Sequence, residues 1–191
     1  MYYRSEVVDK VLMQVKNNTD LLVSYSWGCF HWARAEIMKI LKQLGDPAPL
    51  VERTAVSGIA MVRTCLNNRT VIKHCKAIWQ TPGSHDLQFA IKWVPVDYWC
   101  KTDLDAMKQV IDTSVKGQIK PDQTWRMVVK RRRYQKHHTI DIVRHLAQDV
   151  DRVVNLNEPD WIIWVDIIGR ETAIALLKGD EVFSINKSQP T

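Results

Sequence analysis

Cysteine is scarce in this sequence and poorly placed for cross-linking: Cys29, Cys65, Cys75 and Cys100 are widely spaced, with no CxxC pair. That pattern speaks against a disulfide scaffold and reads as reduced, mostly buried thiols in a cytoplasmic protein. No run approaches the roughly 18 apolar residues a membrane-spanning helix needs, and no membrane partner is expected. The opening MYYRSEVVDK does not read as a signal peptide. Walker, GxGxxG and HxE…PCxxC patterns are all missing. Asp97, Asp166 and Glu171 are scattered acids with no histidine or nucleophile at a recognisable spacing. On these absences the chain is expected not to be an enzyme, and no cofactor and no metal are expected. The fragments Cys29-Phe30-His31 and His74-Cys75 read as thiols with a surface histidine rather than as a zinc site.

What is present is positive charge, and it is concentrated. The 191 residues carry 27 Lys and Arg against 21 Asp and Glu, with a sequence pI near 9.2. Residues 116–144 hold nine of those bases and two acids, a net of +7, whereas residues 1–115 carry +3 and residues 145–191 carry −4. A polyanionic partner, nucleic acid first, follows from that distribution. The centre is TWRMVVKRRRYQKHHTID, residues 124–141. It opens as a strand with Trp125, Met127 and Val129 on one side and Arg126, Val128 and Lys130 on the other. It then becomes strongly basic through Lys130, Arg131, Arg132, Arg133 and Lys136, and Thr139 reads as the N-cap of the next helix. Cations beside a helix N-terminus suit phosphate. Alternation turns neighbouring residues to opposite faces, so about half of the cluster can reach one ligand. Tyr134, His137 and His138 read either as base-stacking or 2′-hydroxyl contacts or as plain turn residues, and both readings stay open. Arg170 beside Gly169 is a second candidate phosphate contact, and Lys116 and Lys120 are candidate rim contacts. Eight tryptophans are many for this length, and an aromatic excess in a basic protein fits base stacking as well as core packing.

Taken in order, Val7, Val8, Val11, Leu12 and Val15 predict an amphipathic helix over 5–17. A strand follows at 21–26, a helix through Ile37 and Leu41 to Gly45, a β stretch over 50–64 broken near Ser57-Gly58, a helix from Asn67-Asn68 to Trp79, and a strand over 87–94. That β-α-β-(β)-α-β order is the order of a ferredoxin-like unit of about 75 residues. Pro95 is read as the boundary, dividing residues 1–94 from 95–191. Beyond it come a helix from Thr102 or Asp103 to Gly117, the basic strand as a central strand, a helix from Thr139 to about Val150, and the apolar run Trp161–Ile168. Two short strands around Lys178-Gly179-Asp180 read as a terminal hairpin.

The succession TWRMVVKRRR, HHTIDIVRHLAQDV, VVNLNEPDWIIWVDIIG and ETAIALL resembles a THUMP domain, over roughly residues 95–186. Asn155 and the extra Glu158 depart from that family's usual pattern at this place. The resemblance implies an α/β (α+β) protein, an N-terminal ferredoxin-like domain followed by a THUMP domain, that binds tRNA at its acceptor end and 3′ tail. It further resembles the stand-alone class of such proteins, adaptors that present tRNA to a separate RNA cytidine acetyltransferase forming N4-acetylcytidine in the D-arm. The alternative is the RNA-binding subunit of a split tRNA methyltransferase or thiolation enzyme.

Overall fold

The computed structural model describes residues 19–82 and 87–185, so the helix expected over 5–17 lies outside the described residues. Strand alternation decides the first core. In β1 (Thr19–Tyr25), Leu21, Val23 and Tyr25 face one way and join a cluster with helix residues, while Leu22 faces the other. Helix α1 (Phe30–Gln43) buries Phe30, Ala33, Ile37, Ile40 and Leu41 at helical spacing. Strands β2 (Leu50–Arg53) and β3 (Ile59–Thr64) form an antiparallel pair. Helix α2 (Asn68–Gln80) begins where Asn67 accepts hydrogen bonds from the Arg69 and Thr70 amides, and β4 (Ala90–Val96) follows. The strand order β2-β3-β1-β4, all antiparallel, is the ferredoxin-like arrangement.

Pro95 does not end a strand: β4 runs through it, opposite Leu21 of β1. The strand tolerates it because its other neighbour, β9 (Phe183–Ser184), reaches only Lys92 and Trp93 and leaves an open edge beside the proline.

The second sheet has the order β5-β8-β7-β6. Its strands are β5 (Tyr98–Lys101), β6 (Trp125–Arg132), β7 (Trp161–Ile168) and β8 (Glu171–Leu177). Helix α3 (Leu104–Val110) widens into a π turn at Ile111–Val115 and then tightens into a 3-10 turn at Lys116–Gln118. Helix α4 (Thr139–Ala147) crosses between the parallel pair β6 and β7. Strand β7 is central and its alternation is complete: Ile163, Val165 and Ile167 meet the helices, while Ile162, Trp164 and Ile168 face the first sheet. The shared cluster between the sheets includes Leu22, Val94 and Val96 from the first and Ile162, Trp164 and Leu177 from the second.

Two expectations are corrected here. The basic strand β6 is an edge strand rather than a central one: among the described residues β7 is the one strand paired with it, and on its other side a single bridge from Val154 meets Trp125 at its start. The terminal hairpin does not form: after Lys178–Asp180 the chain leaves β8, and β9 pairs with β4 of the first sheet. Polar contacts also join the sheets. Arg69 of α2 holds Asp97, just past β4, through Nη2–Oδ2 at 2.8 Å, and donates to the Leu176 carbonyl at 3.1 Å. Asp97 in turn accepts the Leu176 amide at 2.9 Å, and Trp99 Nε1 donates to Asp20 at 2.7 Å. No helix among the described residues is long and apolar enough to cross a membrane.

Asp46 ties the end of α1 to the end of β3. It is buried, which raises a carboxyl pKa, yet the Thr64 hydroxyl and the Ala48 and Cys65 amides hold it below its ordinary value. A depressed folded pKa gives stability that is full above about pH 4, the unfolded value, and is lost as pH falls through the folded one. On acidification below about pH 4, wild type therefore loses denaturant midpoint more steeply than Asp46→Asn. Parallel slopes for the two would disprove the assignment.

Candidate nucleic-acid interface

The two faces of β6 divide the basic run. Lys130 is exposed on the face toward the first sheet, its Nζ 5.9 Å from the Trp164 ring centre. Arg132 shares that face but is engaged: Nε donates to Asp166 Oδ1 at 2.7 Å and Nη2 to Oδ2 at 3.2 Å. Asp166 is 1% exposed and the Arg132 side chain 27%, so this guanidinium serves the fold. Arg131 is exposed on the helix side, and its Nη1 donates to the His137 carbonyl at 2.7 Å, closing the turn that leads into α4. Arg133 follows the strand at φ 54°, a left-handed conformation uncommon outside glycine, and its Nη1 donates to the Ala55 carbonyl at 3.2 Å. Lys136 is exposed at the tip.

Tyr134 is half-buried against the second core with its ring centre 6.1 Å from that of His137. Burial, then the charge of Asp103, pushes its hydroxyl pKa up. His138 is exposed and occupies the N-cap position of α4, but its side chain makes no capping bond. Thr139, expected as the cap, is the first helical residue: the helix starts one residue early because the His138 carbonyl already accepts from Asp141 and Ile142. The first turn of α4 thus faces the cationic turn without a side-chain cap of its own.

The sequence of residues 101–177 matches the THUMP domain family. Residues 101–177 are a THUMP domain. Among solved structures, the chain is similar to TrmN from Thermus thermophilus (TM-score 0.56, 11% identity, covering 83% of this chain and 45% of that one). It is similar to a 4-thiouridine synthetase in complex with RNA and bound ATP (TM-score 0.55, 16% identity, 87% and 42%). It also resembles a predicted N6-adenine-specific DNA methylase from Listeria monocytogenes (TM-score 0.54, 13% identity, 91% and 42%). At these identities the likeness is one of fold, and the chain spans less than half the length of each of these three structures. No curated protein matches the chain.

These comparisons correct the expectation that the chain is not an enzyme, because two of the structures sharing its fold carry the names of a synthetase and a methylase. That expectation rested on missing motifs, which speak only to residue spacings along this chain.

Arg170 of the THUMP domain is exposed in the turn after Gly169, whose amide donates to the Arg132 carbonyl at 3.3 Å, so it lies beside the basic turn. Lys116 and Lys120 do not. They precede β6, whose seven steps of about 3.3 Å carry the chain roughly 23 Å from Trp125 to the basic end at Arg132. Lys116 pairs with Asp112 there at 3.4 Å. Sequence reasoning missed Lys92, which comes from the first sheet to place its Nζ 4.6 Å from the Trp164 ring centre, on the indole that Lys130 also approaches. Alternation along β4, with Lys92 on the side of Val94 and Val96, was the available signal.

The thiols are less buried than expected: Cys75 alone is buried, Cys29 and Cys100 are half-buried, and Cys65 is exposed. Burial pushes Cys75 and Cys100 up to about 12. Among the described residues no group of three or more His, Cys, Asp or Glu side chains is placed to hold a metal.

Proposed function

We propose that this protein binds tRNA through the basic turn of its THUMP domain and brings it to a tRNA-modifying centre. The observation that carries this reading is the THUMP domain itself, with exposed Lys130, Arg131, Arg133, Lys136 and Arg170 gathered at one end of β6 and β7. The specific form of the reading is presentation to an RNA cytidine acetyltransferase, and the resemblance of residues 95–186 to the stand-alone class supports it. A second form, service to a thiolation or methylation centre, is supported by the shared fold with a 4-thiouridine synthetase bound to RNA.

Binding of tRNA, of tRNA trimmed of its 3′ CCA, and of duplex RNA of equal charge, each at two salt concentrations, tests the common part. Tightest binding to intact tRNA is expected. Equal binding to all three reduces the turn to an electrostatic patch and removes the reading.

A further inference from the structure

Two indoles stand in water at the N-terminal end of α1: Trp27 is 88% exposed and Trp32 66%. Exposure of that size is costly for a large apolar ring unless something covers it. Trp32 is held in place from below. Its ring stacks on Phe89 at 6.1 Å with an interplanar angle of 27°. Phe89 is fixed because the Glu36 carboxylate accepts the amides of Gln88, Phe89 and Ala90 at 3.0, 3.0 and 3.1 Å. The same contacts occupy the sole acid of α1, which also carries Arg34, Lys39 and Lys42. Residues 25–34 and 53–60 hold Arg34 and Arg53 and no acid, and Arg53 lies 4.3 Å over the Phe30 ring.

This platform is joined to the basic turn. The Tyr25 amide, two residues before Trp27, donates to the Gly58 carbonyl at 2.9 Å, and the same 54–58 turn offers its Ala55 carbonyl to Arg133. Ala55 also lies against Gly169, within 3.6 Å of where a side chain there would start. The turn is therefore a short bridge with the cationic cluster on one side and the indoles on the other.

We infer that Trp27 and Trp32 are a stacking platform for unpaired nucleotides of an RNA whose backbone lies on the basic turn. The inference rests on the RNA-binding reading above. An indole accepts any base on its face, and the positive surround favours a polyanion over an acidic or apolar protein segment. Among the described residues no aromatic ring neighbours Trp27, while Trp32 offers the face that Phe89 leaves open.

The test compares the full chain with Trp27→Ala/Trp32→Ala on an RNA hairpin carrying a single-stranded 3′ tail and on the same hairpin with a blunt end. The double variant loses on the order of tenfold or more on the tailed hairpin and nothing on the blunt one. Trp27→Phe/Trp32→Phe keeps most of the affinity, and the corresponding leucine pair, equally apolar but without a π face, does not. An unchanged affinity for the tailed hairpin overturns the inference and assigns the indoles to a protein partner. An equal loss on both hairpins overturns it too. Wild type that binds neither hairpin overturns the RNA reading itself, which distinguishes that failure from a failure of the platform.

Discussion

Arg132→Ala lowers the stability of the protein by about 3 kcal/mol, read as a shift in urea midpoint with an unchanged slope. The change removes both hydrogen bonds to Asp166 and leaves that carboxylate buried in β7 beside Ile162, Trp164 and Ile168, without the two donors that offset its lost hydration. Breaking a buried pair on one side costs about 3–5 kcal/mol, and the 27% exposure of the Arg132 side chain puts this one at the low end. Removing both partners, Arg132→Ala with Asp166→Ala, costs less than Arg132→Ala alone, because no charge remains stranded. Arg132→Lys falls between, since an ammonium cannot match both carboxylate oxygens as the guanidinium does. A double variant as unstable as the sum of the single ones rules out the pairing as the cause. Arg132, expected from the sequence as a phosphate contact, is thus also the partner that holds the buried Asp166.

The sequence made the elements easier to read than their partners. The run WIIWVDII is apolar at every position but Asp166 because both its faces are covered, by helices on one side and by the first sheet on the other, and it forms an interior strand. Asn67 announced α2 through the chemistry of its own side chain. By contrast, the edge position of β6 depends on which strand pairs with β7, a contact made 36 residues away in sequence, and nothing within residues 125–132 encodes it. The same holds for β9. Its two residues pair with Lys92 and Trp93, about 90 positions earlier, whereas the local Lys-Gly-Asp signal suggested a hairpin to β8. At the candidate site, composition located the cationic turn but not its division of labour. That Arg132 finds a buried acid, while neither Lys130 nor Lys136 forms an ion pair among the described residues, follows from register: Lys130 lies opposite Asp166, yet the longer side chain two residues on is the one that folds back to it.

That division sets the second large effect. Lys130→Ala with Lys136→Ala weakens tRNA binding by on the order of tenfold to a hundredfold at low salt, and lowers the slope of log K against log salt by about 2, one unit for each lost phosphate contact. Both residues are exposed, so the folded state barely registers their removal, and the urea midpoint stays within about 0.5 kcal/mol of wild type. Arg131 and Arg133 behave differently. Each is exposed but spends one donor on a backbone carbonyl, His137 and Ala55 respectively, so their joint replacement loosens the turn as well as removing charge. Their loss lowers the slope by a similar amount but also lowers stability, by about 1 kcal/mol for each hydrogen bond. Counterion release depends on phosphates neutralised and not on RNA sequence, so both pairs weaken all RNAs alike. Selectivity for intact tRNA survives in whatever binding remains. A slope that stays at the wild-type value in Lys130→Ala/Lys136→Ala removes these lysines from the interface. A slope that falls only in the arginine pair moves the phosphate path to the bridge between Arg133 and Ala55.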